Sequence, residues 1–163
     1  MRKWFARLFA VIAIGGAAYG IYYAIDSVKS EPDVSAADAR DGAAQISDAN
    51  SDLSSRLRAL RAGASVSLAR ESVHSAAAVA RKLDKDLGDK GDMATAIHAV
   101  INKELQFLDA VGSTLANPRS PLRGRVGEFA INVRQAYQHI PGAGSPQISG
   151  VPQLVAFSEA RLG

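Results

Sequence analysis

Residues 46–87, ISDANSDLSSRLRALRAGASVSLARESVHSAAAVARKLDKDL, contain no proline and a single glycine. Ile46, Leu53 and Leu60 recur every seven residues, with Asn50, Leu57 and Ala64 interleaved, which is a heptad-like seam. The repeat resumes as Val66, Val73, Ala80 and Leu87, one residue out of phase with the first run. The slip falls around Gly63, where either one helix bends or two helices meet. Arg61-Ala62-Gly63-Ala64-Ser65 is compatible with helix, which favours one long, bent helix. Unbroken from residue 35 to residue 87, it would reach ~80 Å.

Working outward from this stretch, Ser35 has the character of an N-cap, and Asp38 three residues later favours a helix start. On the other side, Gly88-Asp89-Lys90-Gly91-Asp92 is the clearest turn in the chain, with Gly88 placed to end one helix and Asp92 to cap the next. Residues 93–116 form the next predicted helix. Its apolar side holds Ile97, Ile101, Leu105, Leu108, Val111 and Leu115, widened by Val100 and Phe107, so it should be the most buried. Asn117-Pro118 breaks it. Ser120 and Pro121 then start a helix to about Ile140, with Leu122, Val126, Phe129, Val133, Tyr137 and Ile140 at three-and-four spacing. The fold class expected is all-α: an antiparallel helical bundle or coiled-coil hairpin over residues 35–140. Residues 141–152, PGAGSPQISGVP, lack periodicity and read as a linker. A short helix at 153–163 carries Leu154 and Phe157 on one side; these either pack back onto the bundle or form a tethered docking segment for a partner.

The N-terminal end is different in kind. Residues 8–25, LFAVIAIGGAAYGIYYAI, are uncharged and as a helix would span roughly 27 Å, close to the ~30 Å hydrocarbon core of a bilayer. A cleaved signal peptide has a shorter apolar stretch and small residues at its outer end. Here Tyr19, Tyr22 and Tyr23 stand at that end, and Trp4 at the other, where amphipathic rings suit the membrane interface. The reading is therefore a retained transmembrane anchor at 8–25. Arg2, Lys3 and Arg7 in residues 1–7 place the N-terminus in the cytoplasm of a bacterial cell. Everything beyond the polar linker 26–34 would then lie outside the inner membrane. Gly16, Gly20 and Ala24 recur every fourth residue, giving one face of the anchor no bulk and allowing another helix to approach closely.

The formal charge of +3 resides in this leader, because sixteen basic residues balance sixteen acidic ones beyond residue 25. The basic balance is thus no argument for nucleic-acid binding. Charge is nonetheless uneven: residues 26–60 carry four basic and seven acidic groups, and residues 118–163 carry five and two. Arg119, Arg123 and Arg125 mark either a small anionic contact or a solvated helix start. With no cysteine, neither a disulfide nor an acylated thiol is available, so an external domain must hold itself together by core burial. Residues 26–163 suffice for one such domain.

The chain carries no recognisable reaction chemistry. His74, His98 and His139 lie on three separate predicted helical stretches, with no second histidine or cysteine at ligand spacing. Asp84, Asp86, Asp89 and Asp92 lack the order of a calcium loop, and Lys85 and Lys90 stand among them. There is no serine-nucleophile elbow and no phosphate-cradling glycine loop. The expectation is a non-enzymatic, single-pass membrane protein without cofactor or metal. It would serve as an accessory, assembly or scaffold subunit of a bacterial envelope complex, binding other membrane or periplasmic proteins or a second copy of itself. The alternative is an extracytoplasmic bundle that senses or carries a small ligand. Replacing Gly16 and Gly20 with isoleucine is expected to weaken helix association in a membrane two-hybrid assay; an unchanged signal would remove the small-residue face as an interface.

Overall fold

The computed structural model describes residues 33–61 and 64–163. The anchor 8–25, its small-residue face at Gly16, Gly20 and Ala24, and the interface residues Arg2, Lys3, Trp4, Arg7, Tyr19, Tyr22 and Tyr23 lie outside the described residues. Among the described residues, no helix is long and apolar enough to cross a membrane. Every regular element there is helical: α1 (Ala36–Arg58), α2 (Ser67–Asp86), α3 (Asp92–Ala116), a 3-10 turn (Arg123–Arg125), α4 (Val126–Tyr137) and α5 (Val151–Ala160).

The start of α1 is a reciprocal cap. The Asp38 backbone N–H donates to Ser35 Oγ at 3.1 Å, and the Ser35 N–H donates to Asp38 Oδ2 at 3.2 Å. These bonds hold the Asp38 carboxyl below its ordinary pKa. The heptad seam then buries Ala39, Ala43, Ile46, Asn50, Leu53 and Leu57. The single long, bent helix expected over 35–87 is instead two helices: α1 ends at Arg58, α2 begins at Ser67, and the two pack side by side. Ser72 on α2 donates its hydroxyl to Asp52 on α1, a pairing that a continuous rod could not make. The physical reason lies in α3. Ala94, Ile97, Val100, Ile101, Phe107, Leu108, Ala110, Val111 and Leu115 on that helix are all buried. Apolar surface on several sides needs several partners, whereas one straight 80 Å helix could cover only one side.

α3 accordingly touches every other helix, with α1 and α2 against one part of its surface and α4 and α5 against the rest. Two further expectations change in detail. The helix after Pro121 begins as a turn: Ser120 Oγ accepts from the Leu122 N–H at 3.2 Å, the 3-10 segment follows, and regular α-helix starts only at Val126. Tight i to i+3 bonds at Gln138, His139 and Ile140 then bring Ile140 into the core.

Residues 141–152, read as a linker, divide: 141–150 form a strap bonded to α1, and Val151 and Pro152 already begin α5. Ser54 Oγ donates to the Gln147 carbonyl at 2.7 Å and accepts from the Ser149 N–H at 2.9 Å. The Gln147 N–H donates to Ser47 Oγ at 3.1 Å, and Arg134 Nη2 donates to the Ile148 carbonyl at 2.7 Å. The strap delivers α5 onto α1 and α3, where Leu154 and Phe157 are buried. These two side chains therefore hold α5 in place and present no docking edge; apolar area sheltered by the chain itself is not offered to a partner.

Gly150 decides whether the strap can close. Its φ is +82°, and a Cβ added there would stand 2.6 Å from Leu57 Cβ and 2.8 Å from the Arg58 nitrogen. Only glycine fits both the left-handed backbone and the approach. Gly150→Ala is expected to lower unfolding stability by about 2–4 kcal/mol. Gly144→Ala, where a Cβ meets nothing within 4 Å, serves as the neutral control. Equal urea midpoints for the two variants would refute this account of the strap.

Candidate functional site

Two features stand out from the packing: a groove between α2 and α3, and a polar pair inside the core. The groove exists because α2 is thin. Its inner face is Ala69, Val73, Ala76, Ala77 and Ala80, and opposite Val73 stands Gly112 of α3. Small residues bring the helices together in depth and leave a channel of about 480 Å³ along their outer seam. Every residue lining it belongs to α2 or α3. Val73, Ala77, Leu105, Leu108 and Gly112 supply the apolar part, Arg70, Arg81 and Asp109 supply the charge, and His74 adds an imidazole.

Arg70, His74 and Arg81 fall on one helical face at spacings of four and seven residues. Arg70 is anchored, since its Nη2 donates to the Leu115 carbonyl near the end of α3 at 3.0 Å, while its Nε is buried without a partner. His74 and Arg81 are exposed, and among the described residues neither makes a salt bridge. A Cβ on Gly112 would stand 3.5 Å from Val73 Cγ1, an ordinary contact, so the first carbon of a side chain there fits without forcing the helices apart, and a longer one would extend into the channel that Gly112 lines.

The second feature is Glu104, on the axis-facing side of α3 and fully buried. Beside it is Asn50 of α1, 1% exposed. Neither oxygen of Glu104 and neither side-chain polar atom of Asn50 has a hydrogen-bond partner of normal geometry. Burial pushes the Glu104 carboxyl up to about 7, and the nearby Asn50 side chain offsets this only partly. Tyr137 of α4 closes the same region, donating its hydroxyl to the Ala43 carbonyl at 2.8 Å. Its pKa is raised by burial first, then by the negative charges of Glu104 and Asp48.

The other sequence candidates are occupied structurally. His98 lies 2.9 Å from Asp84 through Nδ1 and 3.3 Å from the Gly88 carbonyl through Nε2, tying the α2–α3 turn together. Arg125 pairs with Glu128 at 3.2 Å and lies over the Phe129 ring at 4.6 Å, so within Arg119, Arg123 and Arg125 it is already engaged. Among the described residues, no group of three metal-ligating side chains converges. Both leading features left a signal in the sequence. Cations at residues 70 and 81 on an alanine-rich helix mark the groove. Glu104 falls on the 97, 101, 104, 108, 111 rhythm, at the position that the sequence reading assigned to Leu105. Leu105 is only half-buried. Comparison with protein-family models, curated proteins and solved structures finds no match to this chain.

The Glu104 pKa carries a sign. A carboxyl at about 7 in the fold and near 4.3 when unfolded makes folding take up a proton between those values. The cost of burying its charge is absent below about pH 4, grows through the window, and levels above pH 7 at about 4 kcal/mol. Glu104→Gln is expected to remove that slope, so that the variant and the native chain differ more in stability at pH 8 than at pH 5. A difference independent of pH, measured by urea unfolding, would overturn the assignment.

Proposed function

We propose that this chain is a single-pass, membrane-anchored and non-enzymatic accessory or scaffold subunit of a bacterial envelope complex. Its helical bundle lies on the extracytoplasmic side and binds another protein through the α2–α3 groove. The observation that carries the binding role is the groove itself: a channel of mixed apolar and polar lining with a charged margin, built by two helices and lined by no other described element. The anchor at 8–25 supplies the membrane attachment, and the three basic residues before it supply the orientation. The absence of any recognisable nucleophile, ligand set or phosphate loop in the sequence favours binding over catalysis.

The test is affinity isolation of the full chain from membranes in mild detergent after crosslinking, comparing the native protein with Gly112→Leu. A specific partner is expected with the native chain and is expected to fall by about tenfold with the filled groove, equivalent to roughly 1.4 kcal/mol of binding. A lone monomer from both preparations would refute the scaffold reading. A retained small-molecule mass in native mass spectrometry would replace it with the carrier alternative.

A further inference from the structure

We infer that the occupant of the α2–α3 groove is an acidic amphipathic helix of a partner protein, with its acids at the two ends of the contact and apolar side chains between them. This rests on the reading of the groove as a docking surface and adds the chemistry and register of what docks. The argument is one of length and charge. Arg70 and Arg81 are eleven residues apart, three turns of α2, which is about 16 Å along the helix axis. Each marks one end of the channel; buried Val73, Ala77 and Leu108 form its floor, and half-buried Leu105 and Gly112 with exposed Ala116 form the apolar rim that a partner would touch. A partner helix of three to four turns matches that length.

The charges then select. The groove margin carries two cations, Arg70 and Arg81, with His74 between them, against a single acid, Asp109, which stands on the opposite wall near the middle. A partner acid at either end meets an arginine. At mid-groove it would meet Asp109, so the middle of the occupant is apolar or basic. A basic helix would place its end charges against Arg70 and Arg81 and be repelled at both. Exposed ion pairs contribute little affinity each. The rim of the channel therefore supplies the apolar contact, and the paired ends supply orientation and discrimination.

The probe is a pair of fluorescent peptides of about fifteen residues with leucines on one helical face. One carries glutamates eleven residues apart at the ends of that face; the other carries lysines at the same places. Binding is read by anisotropy to the full chain in phosphatidylcholine nanodiscs, with empty nanodiscs as the blank. The acidic peptide is expected to bind about tenfold more tightly than the basic one and to weaken as salt rises from about 50 to 500 mM, where the screening length contracts to a few ångströms. Arg81→Glu is expected to reverse the preference, and Gly112→Leu to abolish binding of both. Equal affinity for the two peptides, lost in Gly112→Leu, would overturn the acidic occupant while leaving the groove as a docking surface. Peptide binding that Gly112→Leu leaves untouched would overturn the groove reading and this inference together. Dimers of the native chain that disappear in Gly112→Leu would make the occupant a second copy and overturn the inference.

Discussion

The need to cover α3 on several sides is the constraint from which the rest of this bundle follows. Its 25 residues bury apolar side chains around much of the helix, from Ala94 to Leu115. No single partner can shelter such a surface, and leaving any side in water forfeits roughly 25 cal/mol for each square ångström exposed. The two-helix arrangement of residues 36–86, the late start of α4 and the return of α5 along the strap each bring another apolar face to the same helix. The strap contributes through polar bonds. Ser54, Ser47 and Arg134 satisfy backbone groups of 147–149 that would otherwise be stranded beside the core.

Coverage of α3 is uneven, and the proposed docking groove follows from that unevenness. α1 brings Ile46, Leu53 and Leu57; α2 brings mainly alanines, with Val73 and Leu83. An alanine face approaches closely but does not spread sideways, so the outer seam stays open where larger side chains would have closed it. Gly112 on α3 extends the same economy of bulk to the facing helix. The result is a channel with an apolar interior whose charged residues come chiefly from one helix. Groove depth and charge sign thus arise from separate choices, small residues inside and arginines outside, on the same turns of α2.

Glu104 and Asn50 work against stability at the centre of the molecule. A buried carboxyl without a hydrogen-bond partner costs free energy whenever it is charged, and leucine or methionine at that position would pack without the penalty. A polar pair in a helical seam has a known use, since it disfavours registers in which its members are separated. Asn50 of α1 beside Glu104 of α3 sets these two helices against one another at one height. The same register places Tyr137 within reach of the Ala43 carbonyl. The packing of three helices is therefore tied to one ionisable group.

Much of the architecture was legible from local rules. The Ser35–Asp38 cap, the glycine turn at 88–91, the break at Asn117-Pro118 and the helical class all follow from side chains acting on their own backbone within a few residues. Heptad spacing identified which faces would be buried, Asn50 among them, but carried no instruction about chain direction at Gly63, because a phase slip is equally consistent with a bend and a reversal. The linker at 141–152 was misread, and the choice between packing and docking at Leu154 and Phe157 stayed open, for a related reason. Proline, glycine and serine report the lack of regular structure, not whether backbone groups find partners ninety residues away. By itself, then, the sequence determined the class, the Ser35 cap, the turns and most of the apolar faces, all consequences of short-range sterics and hydrogen bonding, whereas Asp92, expected as a cap, is the first residue of α3 behind Gly91 at φ +93°. Only the tertiary structure decided the reversal after α1, the closure of the strap on Gly150, the burial of Glu104 and the open seam between α2 and α3. Each depends on which distant surfaces compete for the same side of α3, and that competition is resolved by volume and burial in three dimensions.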